Sequence, residues 1–169
     1  MQSRVSRAAR VAALIMCWAS LASGSALAAS ASSNLFRFFG PTQIGGLWQC
    51  AQDQATVDNT SKTAFGTVNA RGASDCSGWN NRPSGNIGTQ QYLLKGTSGS
   101  GGTICGFTDW TYNSGSASSI SIGASWTGPS GSCPSGAAYY AQTRGSYWRT
   151  DTGNYVVPSS FRNSPNLNF

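Results

Sequence analysis

Residues Ser119–Trp126 read SISIGASW. Ile120, Ile122, Ala124 and Trp126 fall on one side of an extended chain, and Ser119, Ser121, Gly123 and Ser125 on the other. A period of two is the signature of a β-strand with one buried face and one wet face. The same alternation runs through Lys62–Arg71, where Ala64, Gly66, Val68 and Ala70 share a side opposite Thr63, Phe65, Thr67 and Asn69. Further strands are expected at Gly46–Gln52, Gln90–Lys95, Thr103–Tyr112, Ala137–Thr150 and Tyr155–Val157. Asp151-Thr152-Gly153-Asn154 has the composition of a hairpin turn between the last two. No helical period appears after residue 28, and glycine is frequent enough to disfavour long helices. The reading is all-β: a small disulfide-stapled β-sandwich or barrel of about seven to eight short antiparallel strands.

The start of the chain has a different character. Arg4, Arg7 and Arg10 precede the apolar run Val11–Leu21, and Ala26-Leu27-Ala28 is a small-x-small site. This is the pattern of an export signal removed by a peptidase. The run is shorter than the ~20 apolar residues that span a bilayer. Residues 1–28 are therefore read as a cleaved signal peptide, and 29–169 as a single β-rich extracellular domain with irregular N- and C-terminal tails. In the N-terminal tail, Leu35–Phe39 (LFRFF) is expected to dock on the domain. No transmembrane segment is expected after cleavage, and the protein is placed outside the cell or in a periplasm.

Cysteine usage agrees with that compartment. Cys17 leaves with the signal, and Cys50, Cys76, Cys105 and Cys133 remain. Four cysteines in an exported chain read as two disulfides, with three pairings available. Cys50–Cys76 and Cys105–Cys133 are expected because each closes a local loop, the second bracketing what looks like one hairpin unit. Each loop is worth roughly 3.5 kcal/mol in the chain-entropy picture. That matters here, because Leu, Ile, Val and Phe are scarce and Trp and Tyr must build much of the core. Trp126, on the alternating strand, and Trp48, beside Cys50, are read as core.

The formal charge is +6, and removing Arg4, Arg7 and Arg10 halves it. The remaining cations are scattered, which argues against a nucleic-acid partner. The chain has no His, and all five acidic residues are Asp: Asp53, Asp58, Asp75, Asp109 and Asp151. Ser-His and Cys-His catalysis and His-ligated zinc are excluded. Asp75 and Asp109, near Trp79 and Trp110, are the one pair that would suit glycoside hydrolysis, although each also reads as a plain turn or surface residue. Asp151-Thr152-Gly153 matches the aspartic-protease tripeptide but lacks its apolar strand and its second copy. Asp53 and Asp58 do not form a calcium loop. No catalytic residue, metal or cofactor is therefore expected.

Aromatic rings stack on the apolar faces of sugars, while amides and guanidinium groups bond to hydroxyls. Trp79 with Asn80, Asn81 and Arg82, and Trp110 with Tyr112 and Asn113, have that composition. The expected function is a secreted, non-enzymatic module binding a polysaccharide or cell-envelope component. The alternative is a secreted effector, such as a toxin, an antimicrobial protein or a protease inhibitor, with Gly128–Gly136 around Cys133 as an inhibitory loop.

Overall fold

The computed structural model describes residues 29–169. The expected signal peptide, with Cys17, lies outside the described residues. The strands in chain order are β1 (Ser30–Ser32), β2 (Phe36–Ile44), β3 (Leu47–Asp58), β4 (Thr63–Gly72), β5 (Gly78–Trp79) and β6 (Ile87–Lys95). They continue with β7 (Thr103–Tyr112), β8 (Ser119–Ser125), β9 (Ala138–Arg149), β10 (Asn154–Val156), β11 (Arg162–Asn163) and β12 (Leu167–Asn168). They form two six-stranded sheets. The domain is an all-β, disulfide-stapled sandwich in which every pairing between strands is antiparallel.

In the first sheet, β3 and β4 are the central hairpin, paired without interruption from Cys50↔Arg71 to Asp58↔Thr63. Its turn is held by Asp58, whose carboxylate accepts from the backbone N–H and the hydroxyl of Ser61. β1 and β2 share the outer edge of β3, and β8 and β5 share the outer edge of β4. In the second sheet, β6 and β9 are central. β7 lies beyond β6, and β10, β11 and β12 line the far edge of β9.

Strand parity decides what is buried. The inner face of β3 presents Gln49, Ala51, Asp53, Ala55 and Val57, and that of β4 presents Ala64, Gly66, Val68 and Ala70, as the alternation implied. These small residues face large ones on the second sheet: Ile87, Leu93, Tyr139 and Tyr147. Rings thus supply the volume that the scarce aliphatics cannot.

The interior is two apolar clusters. One gathers Ala55, Val57, Leu93, Tyr139 and Phe169 around the Cys105–Cys133 bridge. The other gathers Phe39, Ile44, Val68, Ile87 and Tyr147. Between them runs a polar waist of fully buried Asp53, Thr89, Gln91 and Thr143. Gly66 sits directly over the two threonines: a Cβ there would lie 2.2 Å from the Thr143 hydroxyl oxygen and 2.4 Å from that of Thr89.

Both disulfides join the expected partners, Cys50–Cys76 and Cys105–Cys133. The hairpin expected between Cys105 and Cys133 does not form. β7 pairs with β6 and β8 with β4, so the chain crosses from one sheet to the other after Tyr112. The two edges nearly meet where the Thr108 hydroxyl donates to the Gly123 carbonyl at 2.8 Å. Toward Tyr112 and Ile120 they diverge into a cleft of about 620 Å³.

The N-terminal tail departs from the expected irregular segment and is largely strand, whereas the C-terminal tail is mostly loop with two two-residue strands. β1 and β2 pair with β3, and β11 and β12 pair with β9. Phe169 is buried, stacking on Tyr139 with centroids 4.6 Å apart. Trp126 packs against the same cluster. Trp48 departs from the expectation of a core residue. Even-numbered residues of β3 point away from the interior, and Trp48 is exposed near the end of the sheet.

Candidate functional site

The outer face of the second sheet carries the densest collection of surface aromatics. Outward parity on β6 selects Gln90 and Tyr92, and on β9 it selects Gln142, Arg144 and Trp148. β7 adds Phe107, Trp110 and Tyr112, β10 adds Tyr155, and the segment before β11 folds Phe161 onto the face.

These groups touch in an unbroken series. Trp148 meets Tyr155 at 4.9 Å between centroids, and Tyr155 meets Tyr112 at 5.1 Å. Tyr112 stacks with Trp110 at 6.3 Å. The Arg144 guanidinium then bridges Trp110 at 5.5 Å and Phe161 at 4.6 Å. Phe161 meets Tyr92 edge-on at 5.6 Å, and Tyr92 stacks with Phe107 at 5.9 Å. All the ring separations lie in the range favoured by aromatic pairs.

Two devices shape the series. Gly88 lies opposite Tyr112 across the β6–β7 ladder, and a Cβ there would come within 2.5 Å of the Tyr112 ring. The missing side chain lets Tyr112 lie flat across β6 toward Tyr155. A polar relay fixes the middle: Arg144 donates to Gln90 at 3.2 Å, and Gln90 donates to Asp109 at 3.1 Å. Asp109 also accepts from the backbone N–H of Trp110 at 2.8 Å. At one end Tyr92, Leu94, Ile104, Gln142 and Phe161 line a hollow of about 190 Å³.

The residues singled out from the sequence separate in space. Trp110 and Tyr112 stand in the series. Trp79 is exposed on the first sheet, with the Arg71 guanidinium 3.5 Å from its ring centroid. Asn80 lines a cleft beside it, and Asn81 is exposed. Arg82 is buried, donates to the Trp148 carbonyl at 3.4 Å and lies over Tyr147. Asn113 is buried as well: its amide donates to the carbonyls of Arg82, Pro83 and Gly115, and its oxygen accepts from the Ile87 N–H. Arg82 and Asn113 therefore build the corner of the fold and present no free group to a ligand. Sequence reasoning missed Tyr92, Phe107, Arg144, Trp148, Tyr155 and Phe161. Parity along β9 alone would have placed Arg144 and Trp148 on one face.

Three of the five carboxylates, those of Asp58, Asp75 and Asp151, are engaged within their own turns. Asp75 lies in the turn before β5, where the Ser77 hydroxyl and N–H hold its carboxyl below the usual range. Asp109 lies on the other sheet, so the two do not make a catalytic pair. Asp151 occupies the β9–β10 turn, where it pairs with Arg149 at 2.5 Å and is likewise lowered. Among the described residues no group of three or more His, Cys, Asp or Glu could hold a metal ion, and no helix is long and apolar enough to cross a membrane. No family model, curated protein or solved structure matches the chain.

Proposed function

We propose that the protein is an exported, non-enzymatic binding module whose ligand is a polysaccharide of the extracellular space or cell envelope. The observation that carries this reading is the continuous aromatic series on the outer face of the second sheet. A sugar polymer offers alternating C–H faces and hydroxyl edges. The rings of Phe107, Tyr92, Phe161, Trp110, Tyr112 and Tyr155 suit the faces, and Gln90, Asp109, Gln142 and Arg144 suit the edges. From Phe107 to Tyr112 the platform extends about 17 Å along β7, which is long enough for several sugar units and favours a polymer over a monosaccharide. The protein's carboxylates are committed to turns, to the interior or to this relay, which agrees with binding without cleavage.

The test is retention on insoluble cellulose, chitin and peptidoglycan, followed by tryptophan fluorescence titration with soluble oligosaccharides of increasing length. Retention on at least one polymer, with affinity rising with oligomer length, is expected. Failure to bind any of them, together with inhibition of a protease panel, would replace this reading with that of a secreted inhibitor.

A further inference from the structure

A second surface is built on different principles and lies on the other sheet. β2 and β3 are joined by Gly45-Gly46, with φ of 59° and 82°, so both residues adopt the left-handed conformation of a tight hairpin turn. A Cβ on either glycine would meet nothing within 4 Å, so the turn projects free of the body. Leu47 follows at once and is the most exposed large apolar residue described, at 69%. Beside it stand Trp48, at 41%, and Trp79, at 61%. The Cys50–Cys76 bridge joins the strand that carries Trp48 to the turn that precedes Trp79, which holds the two segments together. Between Leu47, Trp48, Gly72 and Trp79 lies a cleft of about 300 Å³.

The charge behind this tip is positive. Arg71 stacks on Trp79 and is steadied by donating from Nε to Gln52 at 3.3 Å. Arg37 reaches the Cys76 sulfur at 3.8 Å. The carboxylate of Asp75, in the same turn as Cys76, is turned onto Ser77. An aliphatic side chain at a projecting turn has no flat face to offer a sugar. It is, however, the shape that enters a bilayer, while indole rings settle at the level of the headgroups and arginines meet their phosphates.

We propose that the Leu47–Trp48–Trp79 tip docks shallowly on a bilayer containing anionic lipids, with Arg71 and Arg37 against the headgroups. This goes beyond the glycan reading and uses none of the residues of its platform on the second sheet. The test is co-sedimentation of the oxidised chain 29–169, the whole described fold, with phosphatidylcholine vesicles with and without phosphatidylglycerol. Residues 1–28 are omitted because they contain an apolar run of their own. The chain is expected to sediment with the anionic vesicles, with blue-shifted tryptophan emission, and to bind the neutral ones weakly. Leu47→Glu should weaken that binding by about tenfold or more, the scale of burying one leucine. Arg71→Gln should weaken it and reduce its salt dependence. Leu47 is solvent-exposed, so an unchanged melting temperature and unchanged polysaccharide retention show that the Leu47→Glu variant is folded. Absence of vesicle binding, or binding unaffected by Leu47→Glu, overturns the proposal. So does loss of polysaccharide retention in Trp79→Ala with vesicle binding intact, which would make the tip a second sugar site. Absence of vesicle binding, or its indifference to Leu47→Glu, leaves the platform of the second sheet untouched, whereas loss of retention in Trp79→Ala would count against the platform as well.

Discussion

The carboxylate of Asp53, on the inner face of β3, accepts a 3.1 Å hydrogen bond from the backbone N–H of Gly145, on the inner face of β9. This one contact spans the two sheets at the polar waist. The other carboxylate oxygen has no hydrogen-bond partner, and Arg162 approaches it only to 3.9 Å while lying over the Phe36 ring. Burial disfavours the charged form and outweighs the help of Gly145 and Arg162, so the Asp53 carboxyl is raised from 3.8 to about 6.

That shift sets a pH dependence of stability. Between about pH 4 and pH 6 the folded chain keeps the Asp53 proton while the unfolded chain has lost it, so stability from this group falls as pH rises through that window. Above about pH 6 both forms are ionised and the buried charge costs on the order of 3 kcal/mol. Asp53→Asn keeps an acceptor for Gly145 and removes the charge. It should raise the melting temperature near neutral pH, change it little near pH 4, and flatten the slope between. Denaturant melts of both proteins across this range check it, and an unchanged slope would show that Asp53 is not its source.

The waist also predicts a steric result. Gly66→Ala places a methyl carbon within 2.4 Å of the hydroxyl oxygens of both Thr89 and Thr143, which are buried and bonded to each other at 3.0 Å. Both side chains are fully buried, so a loss of about 1–3 kcal/mol is expected. Gly131→Ala, with nothing within 4 Å, is the control and should be neutral.

On the platform, removing one ring should weaken binding without ending it. Trp110→Ala and Tyr92→Ala should each lower affinity for the bound polysaccharide by roughly three- to tenfold. Gly88→Ala deletes no ring but pushes Tyr112 off its bed, and should weaken binding to a similar extent. Isothermal titration with a soluble oligosaccharide reads all three, and wild-type affinity in Gly88→Ala would show that Tyr112 takes no part.

The Cys105–Cys133 bridge is packed inside one apolar cluster and tethers the β8–β9 loop. Replacing both cysteines with alanine should cost about 3.5 kcal/mol, read from chemical denaturation. The loss should be larger than that from exposed substitutions such as Asn81→Ala, which should lie within about 0.5 kcal/mol of wild type.

Much of the fold was legible because it rests on local rules. Alternation in Lys62–Arg71 grouped Ala64, Gly66, Val68 and Ala70 on one side, the side that β4 turns inward, and the spacing of the cysteines favoured the two local bridges. The errors arose where a long-range contact decides. The N-terminal segment carries too few alternating apolar residues to read as strand, yet the free edge of β3 recruits it. Trp48 shares the outward parity of Cys50, which is covered by its bridge to Cys76, but lies nearer the strand's end and stays exposed. Arg82 and Asn113 look like loop amides and cations, but the crossing from β7 to β8 turns them inward, where Asn113 donates to three carbonyls and Arg82 to that of Trp148 while lying over the Tyr147 ring.

The sequence by itself determined that this is an all-β chain with two local disulfides, without histidine chemistry, and with rings in place of aliphatics. Those properties follow from composition and from a period of two. Only the tertiary structure decided which rings face solvent and which of them meet. Tyr92, Trp110, Arg144 and Tyr155 lie on four different strands, and their contact depends on strand order across the sheet. That order is set by the packing of two sheets around a shared interior, a global outcome that no single segment encodes.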